Sequence, residues 1–135
     1  MIQGNECLLI NLGDYLPHVV LTGEIELKDI FEKIKFFILR KGKNILKISD
    51  KFINKDENSI LIEALAIDEE NKVSFLVLLS KRKDGLVVRI YPEIEPKKTD
   101  GVKKILAKIS NQLLREFPTL KVGKTNIQEF LQNQS

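Results

Sequence analysis

His18 is the chain's only histidine, and it follows Pro17. One imidazole with no cysteine or second histidine beside it makes a poor metal site, and a general base needs an orienting partner that the neighbouring residues do not supply. It reads as an ordinary surface or strand-edge residue. Cys7 also stands alone, which excludes an intramolecular disulfide and makes a reducing compartment the default. The carboxylates worth pairing are Asp50 and Glu63. If the segments flanking the turn at 54–58 form a hairpin, opposite positions sum to roughly 112 or 113, which sets Asp50 against Glu63. Buried together, two carboxylates would raise each other's pKa and mark a functional site. A bulge or strand end that lets Asp50 reach water is the plainer account. Glu63 and Arg89 share a strand face, a polar spot among leucines of the kind that suits an interface.

The basic residues that gather on one element are Lys103, Lys104, Lys108 and Arg115, with Lys97 and Lys98 just before them. They are the candidate contacts for a nucleic acid. Readers of nucleic acid mix arginine and exposed aromatics into such a face, and here only Arg115 qualifies, so a solvated lysine face is the simpler reading. The overall balance agrees: 22 basic against 19 acidic residues leave a net charge of +3, too little to demand a polyanionic partner. The seven glycines are scattered, mostly at turns, and form no GxGxxG, Walker-type loop or nucleophile elbow. No cofactor or metal is implied, and no nucleophile–base constellation is visible.

These residues are held by a recognisable set of elements. Four apolar segments run from Ile45 to Tyr91: Ile45–Ile53, Ser59–Ile67, Val73–Leu79 and Leu86–Tyr91. The breaks at 54–58, 68–71 and 83–85 are rich in Asn, Asp and Gly, and connections this short demand antiparallel neighbours. Leu46, Ile48 and Phe52 fall on one face of the first segment, and Val73, Phe75, Val77 and Leu79 on one face of the third. An earlier strand is expected at His18–Thr22, and Cys7–Ile10 is a short apolar run. Between them and the meander, Leu27, Ile30, Phe31, Ile34, Phe37 and Ile38 recur at helical spacing, predicting a helix from Leu27 to Arg40 with Gly42 as its stop. Thr99 or Asp100 starts a second helix whose stripe is Val102, Ile105, Leu106, Ile109, Leu113, Leu114 and Phe117, closed by Pro118. Thr125 and Gln128 have capping-box spacing, which predicts a last helical turn carrying Ile127, Phe130 and Leu131.

The expected architecture is one α+β domain over 1–135: an antiparallel four- to five-stranded meander with two helices packed on one face, and a short C-terminal helical tail at about 125–132. That β-α-β4-α order resembles, in topology, the helix-grip folds (the START-domain group) and the TATA-box-binding-protein-like folds. The resemblance implies a fold and no function.

The second face of the sheet is too apolar for open solvent. Leu61, Leu65, Leu76, Leu78 and Tyr91 fall there, where a wetted antiparallel sheet alternates more cleanly. These are the candidate interface residues, for a second subunit, the chain's own tail or a ligand. Phe31, Phe37, Phe75 and Phe117 are the aromatics that could line an apolar pocket between sheet and C-terminal helix, although core packing accounts for them as well. The resulting expectation is a non-catalytic binding or assembly module that works as a homo-oligomer, with a small apolar ligand as a sharper variant and a nucleic-acid binder as the alternative. Without a basic, apolar leader or a span of about 18 to 20 apolar residues, the expected setting is cytoplasmic, with no membrane partner.

Overall fold

The computed structural model describes residues 16–92 and 99–132. Its centre is a seven-stranded sheet, antiparallel throughout, that curves into a half-barrel. The strands are β1 (His18–Thr22), β2 (Phe37–Lys41), β3 (Asn44–Ile53), β4 (Ser59–Ile67), β5 (Lys72–Arg82), β6 (Gly85–Ile90) and β7 (Lys121–Thr125), with α1 (Leu27–Lys33), α2 (Asp100–Glu116) and α3 (Gln128–Gln132) between and after them. Across the sheet the order is β2-β3-β4-β5-β6-β1-β7. The first strand therefore lies between the sixth and the last.

The concave face holds the core. Every second residue of β4, β5 and β6 points there, and Ile60, Ile62, Val77, Leu79, Leu86 and Val88 are fully buried. Helix α2 crosses β3, β4, β1 and β6, filling the concavity with Val102, Ile105, Leu106, Ile109 and Leu113. At about 1.5–3 kcal/mol for each large side chain removed from water, this helix face is a main source of stability. The Thr99 hydroxyl caps the helix by accepting from the Val102 N–H at 3.3 Å. At the other end the Phe117 N–H closes onto Leu113 O, and Pro118 stops the helix.

Among the described residues, seven strands and three helices correct the expected four- to five-stranded sheet with two helices. The resemblance to helix-grip and TATA-box-binding-protein-like folds rested on the β-α-β4-α order and lapses with it. Two segments account for the difference. Helix α1 ends at Lys33, and Phe37–Lys41 is strand β2, paired with β3 from Phe37↔Ile48 to Lys41↔Asn44. The stripe that continued to Ile38 at helical spacing is a coincidence of period: Phe36-Phe37-Ile38-Leu39 is also a run of strong β formers. Gly42 (φ 61°) is the first of two residues in a hairpin turn, where II′ turns place glycine, and not a helix stop. The second segment is β7, which pairs with the free side of β1. Its sequence, Lys-Val-Gly-Lys-Thr, carries one large apolar residue and no alternation that would mark a strand.

The register of β3 holds a further correction. Ile48 pairs with Ala64, but Asp50 pairs with Glu63, so the ladder slips by one at Ser49. This bulge turns Lys51 and Ile53 toward the concave face and sends Phe52 outward, where it is 50% exposed. Phe52 thus leaves the face it was expected to share with Leu46 and Ile48.

Candidate interaction surfaces

The bulge decides what the convex face offers. Beyond it, Asp50 and Phe52 join the outward residues, and adjacent strands set them in rows: Phe52, Leu61, Leu78 and Arg89 in one, Asp50, Glu63 and Leu76 in the next. Leu61, Leu65, Leu76 and Tyr91 are half-buried there, and Leu78, between Leu61 and Arg89, is only 8% exposed. The Tyr91 N–H extends the ladder past β6 by donating to Leu76 O at 2.8 Å. All five leucine and tyrosine candidates therefore occupy one contiguous surface. A depression of about 390 Å³ opens in it, lined by Lys47, Ser49, Glu63, Leu65, Ser74 and Leu76.

Asp50 and Glu63 stand opposite one another, and both are exposed. They are not a buried acid–base pair; Asp50 Oδ1 instead accepts from the Lys51 N–H at 2.9 Å, a contact local to the bulge. Like charges directly opposite on a sheet repel. Among the described residues, neither Glu63 nor Arg89 has an ion-pair partner; the ion pair seen is Lys81 with Glu26, at 3.7 Å. The register explains why they miss each other. Glu63 aligns with Leu76 and Arg89 with Leu78 of the strand between them, a separation of roughly 12 Å from strand spacing and rise.

The four aromatic candidates do not assemble. Phe75 is a core residue, and Phe31, Phe37 and Phe117 are half-buried against the core from three different elements. Phe31, Phe37 and Phe117 line none of the clefts of about 370–530 Å³ beside Glu63, Glu26, Lys104 and Glu70. Phe31 has a different duty. The Lys51 ammonium, turned inward by the bulge, sits 4.8 Å from its ring centroid and donates to the Phe31 and Ile34 carbonyls at the end of α1.

The basic residues of α2 divide. Lys103 lies 5.8 Å over the Phe130 ring of α3, and Arg115 is exposed in the last turn. Lys104 and Lys108 instead border a cleft of about 520 Å³ between α2 and β2, facing Leu39, Arg40, Lys41 and Leu46. The Lys108 ammonium is held below its ordinary pKa of 10.5, first by burial, then by the charges of Arg115 and Lys104. Arg40 and Lys41 were assigned no role by sequence, because a helix running to Arg40 carries them away from α2. The signal that places them is the Gly42-Lys43 turn.

Strand β2 itself is a sheet edge. Phe36 (49% exposed), Ile38 (55%) and Leu39 (40%) are among the most exposed large apolar residues described. The opposite edge, β7, shows Lys121, Gly123 and Lys124 to solvent and is followed by α3.

His18 opens β1, with its N–H on Asn126 Oδ1 at 3.0 Å and its Nδ1 3.0 Å from the Leu16 carbonyl. That contact fixes the tautomer with the proton on Nδ1. Cys7 and the Cys7–Ile10 run, with Lys97 and Lys98, lie outside the described residues. Among the described residues, no three His, Cys, Asp or Glu side chains gather as a metal site would require, and no helix is long and apolar enough to cross a membrane.

No protein-family model matches this chain, and neither does a curated protein or a solved structure.

Proposed function

We propose that this protein is a cytoplasmic, non-catalytic assembly module that self-associates through the convex face of its sheet. One observation carries the reading: the face turned away from α2 holds Leu61, Leu65, Leu76 and Leu78 in one patch, flanked by Phe52 and by the charges of Glu63 and Arg89, which have no ion-pair partner among the described residues. An isologous two-fold contact requires a surface that complements itself. Glu63 and Arg89 supply that, since each can meet the other across the axis while failing to meet within one chain. The face bulges outward, so contact concentrates at its centre, where the half-buried Leu61 and Leu76 flank the already buried Leu78. A single small apolar ligand is a weaker form of this reading, because the concavity beneath α2 is filled by its own side chains.

Sedimentation velocity at two protein concentrations tests it. A sedimentation coefficient that rises with concentration, and a Leu76→Asp variant that stays folded and monomeric, is the expected result. A strict monomer at about 1 mM would end the proposal. Nucleic-acid binding through Lys103, Lys104, Lys108 and Arg115 is the second reading, favoured by the cleft that Lys104 and Lys108 share with Arg40 and Lys41. Salt separates the two: phosphate contacts weaken steeply as salt is added, and an apolar contact does not.

A further inference from the structure

We propose that the free edge of β2, together with the cleft between β2 and α2, binds an extended acidic peptide segment of another protein by adding it to the sheet as an eighth strand. Strand β2 ends the sheet order, so one side of its backbone has no partner strand among the described residues. Natural edges are blunted by charge, bulges or cover. This one carries Arg40 and Lys41 but also presents Ile38 and Leu39, with Phe36 just before it. The register puts Leu39, paired with Leu46, on the cleft side, and Ile38, paired with Lys47, on the convex side. A strand laid on this edge would set alternate side chains over the cleft, onto Leu39 and Leu46, and the others beside Ile38.

Charge selects the occupant. The cleft is bordered by Lys41, on the same side of the strand as Leu39, and by Lys104 and Lys108, one helical turn apart, from α2, with Arg40 at its rim on the side of Ile38. Asp68 and Asp100 also border it, and Arg40, Lys41 and Lys104 outnumber them without Lys108. A second copy of this chain is disfavoured, because β2 against β2 would bring Lys35, Arg40, Lys41 and Lys43 of both copies to one junction. A nucleic acid would meet the cations but could neither continue the backbone ladder nor cover Ile38 and Leu39. An extended segment alternating apolar residues with carboxylates continues the ladder, sets its carboxylates over the cleft toward Lys41 and Lys104, and lays its apolar side chains beside Ile38. This site is separate from the convex face and does not depend on self-association there.

Fluorescence polarisation with a fluorescein-labelled decapeptide of alternating valine and glutamate tests the proposal. Saturable binding is expected, weakened about tenfold or more by Lys41→Glu with Lys104→Glu, both exposed positions that leave the fold intact. Two further peptides, one N-methylated on the valines and one on the glutamates, probe the ladder, and at least one is expected to lose about tenfold in affinity. Three results would overturn the idea: no saturation by about 1 mM peptide, equal affinity for all three peptides, or tighter binding of a labelled ten-nucleotide single-stranded DNA.

Discussion

The Lys51 ammonium closes the C-terminus of α1: it stands 3.1 Å from Ile34 O, donates also to Phe31 O, and lies over the Phe31 ring. Helix α1 has seven residues and no side-chain cap at its N-terminus, so this contact supplies much of what holds it. It exists because the Ser49 bulge shifts the ladder by one and turns Lys51 inward. Lys51→Met keeps the aliphatic stem and removes the donor. Its expected cost is about 1–2 kcal/mol, read as a lower urea midpoint at unchanged m-value. A midpoint equal to that of the parent would show that the cap contributes nothing.

Charge reversal tests the convex face. Glu63→Arg alone and Arg89→Glu alone should each raise the self-dissociation constant about tenfold, since both create like-charge contacts across a two-fold axis. The double variant should recover most of the loss, because it restores the complement with the signs exchanged. Equilibrium sedimentation of the three variants checks this, and additive losses in the double variant would contradict the pairing.

Lys108 makes stability depend on alkaline pH with a definite sign. Its folded pKa lies below 10.5, so between that lowered value and 10.5 the unfolded chain binds a proton that the folded chain has shed. Stability contributed by this group therefore rises with pH through that window. Denaturant midpoints measured from about pH 8 to 10.5 should rise less steeply in Lys108→Gln than in the parent chain. Parallel curves would refute the assignment.

Gly85 opens β6 at φ 153°, opposite Thr22 of β1, and a Cβ placed there would collide with the Leu21 carbonyl oxygen. Gly85→Ala must break the β1–β6 ladder or strain the backbone. A loss of more than about 2 kcal/mol is expected, seen as a lowered thermal midpoint.

Much of this arrangement is legible in the residues themselves. The Asn- and Asp-rich turns around 54–58 and 68–71 place β4 at Ser59–Ile67, and the stripe from Val102 with its Thr99 cap places α2. The hairpin sum of roughly 112 or 113 left two registers open, and both are present, one on each side of the Ser49 bulge. Period alone could not separate α1 from β2, because a stripe at three and four residues and a β-forming run overlap from Phe36 to Leu39. Strand β7 is held by backbone pairing and by Thr125, whose hydroxyl donates to His18 O at 2.8 Å. Neither leaves a hydrophobic pattern. The convex leucines were visible as a surplus of apolar residues, whereas the Arg40–Lys104 cleft required knowing that β2 is a strand.

The placement of β1 between β6 and β7 has a consequence for synthesis. One flank is spoken early and the other late: β6 can pair with β1 as soon as Ile90 is made, whereas Asn126 reaches back 108 positions to the His18 N–H. While the chain is being made, the β7 side of β1 stays open until Thr125 has left the ribosome. The meander and α2 are complete before then, so docking of β7 is expected to be the slow, final event in the maturation of this sheet.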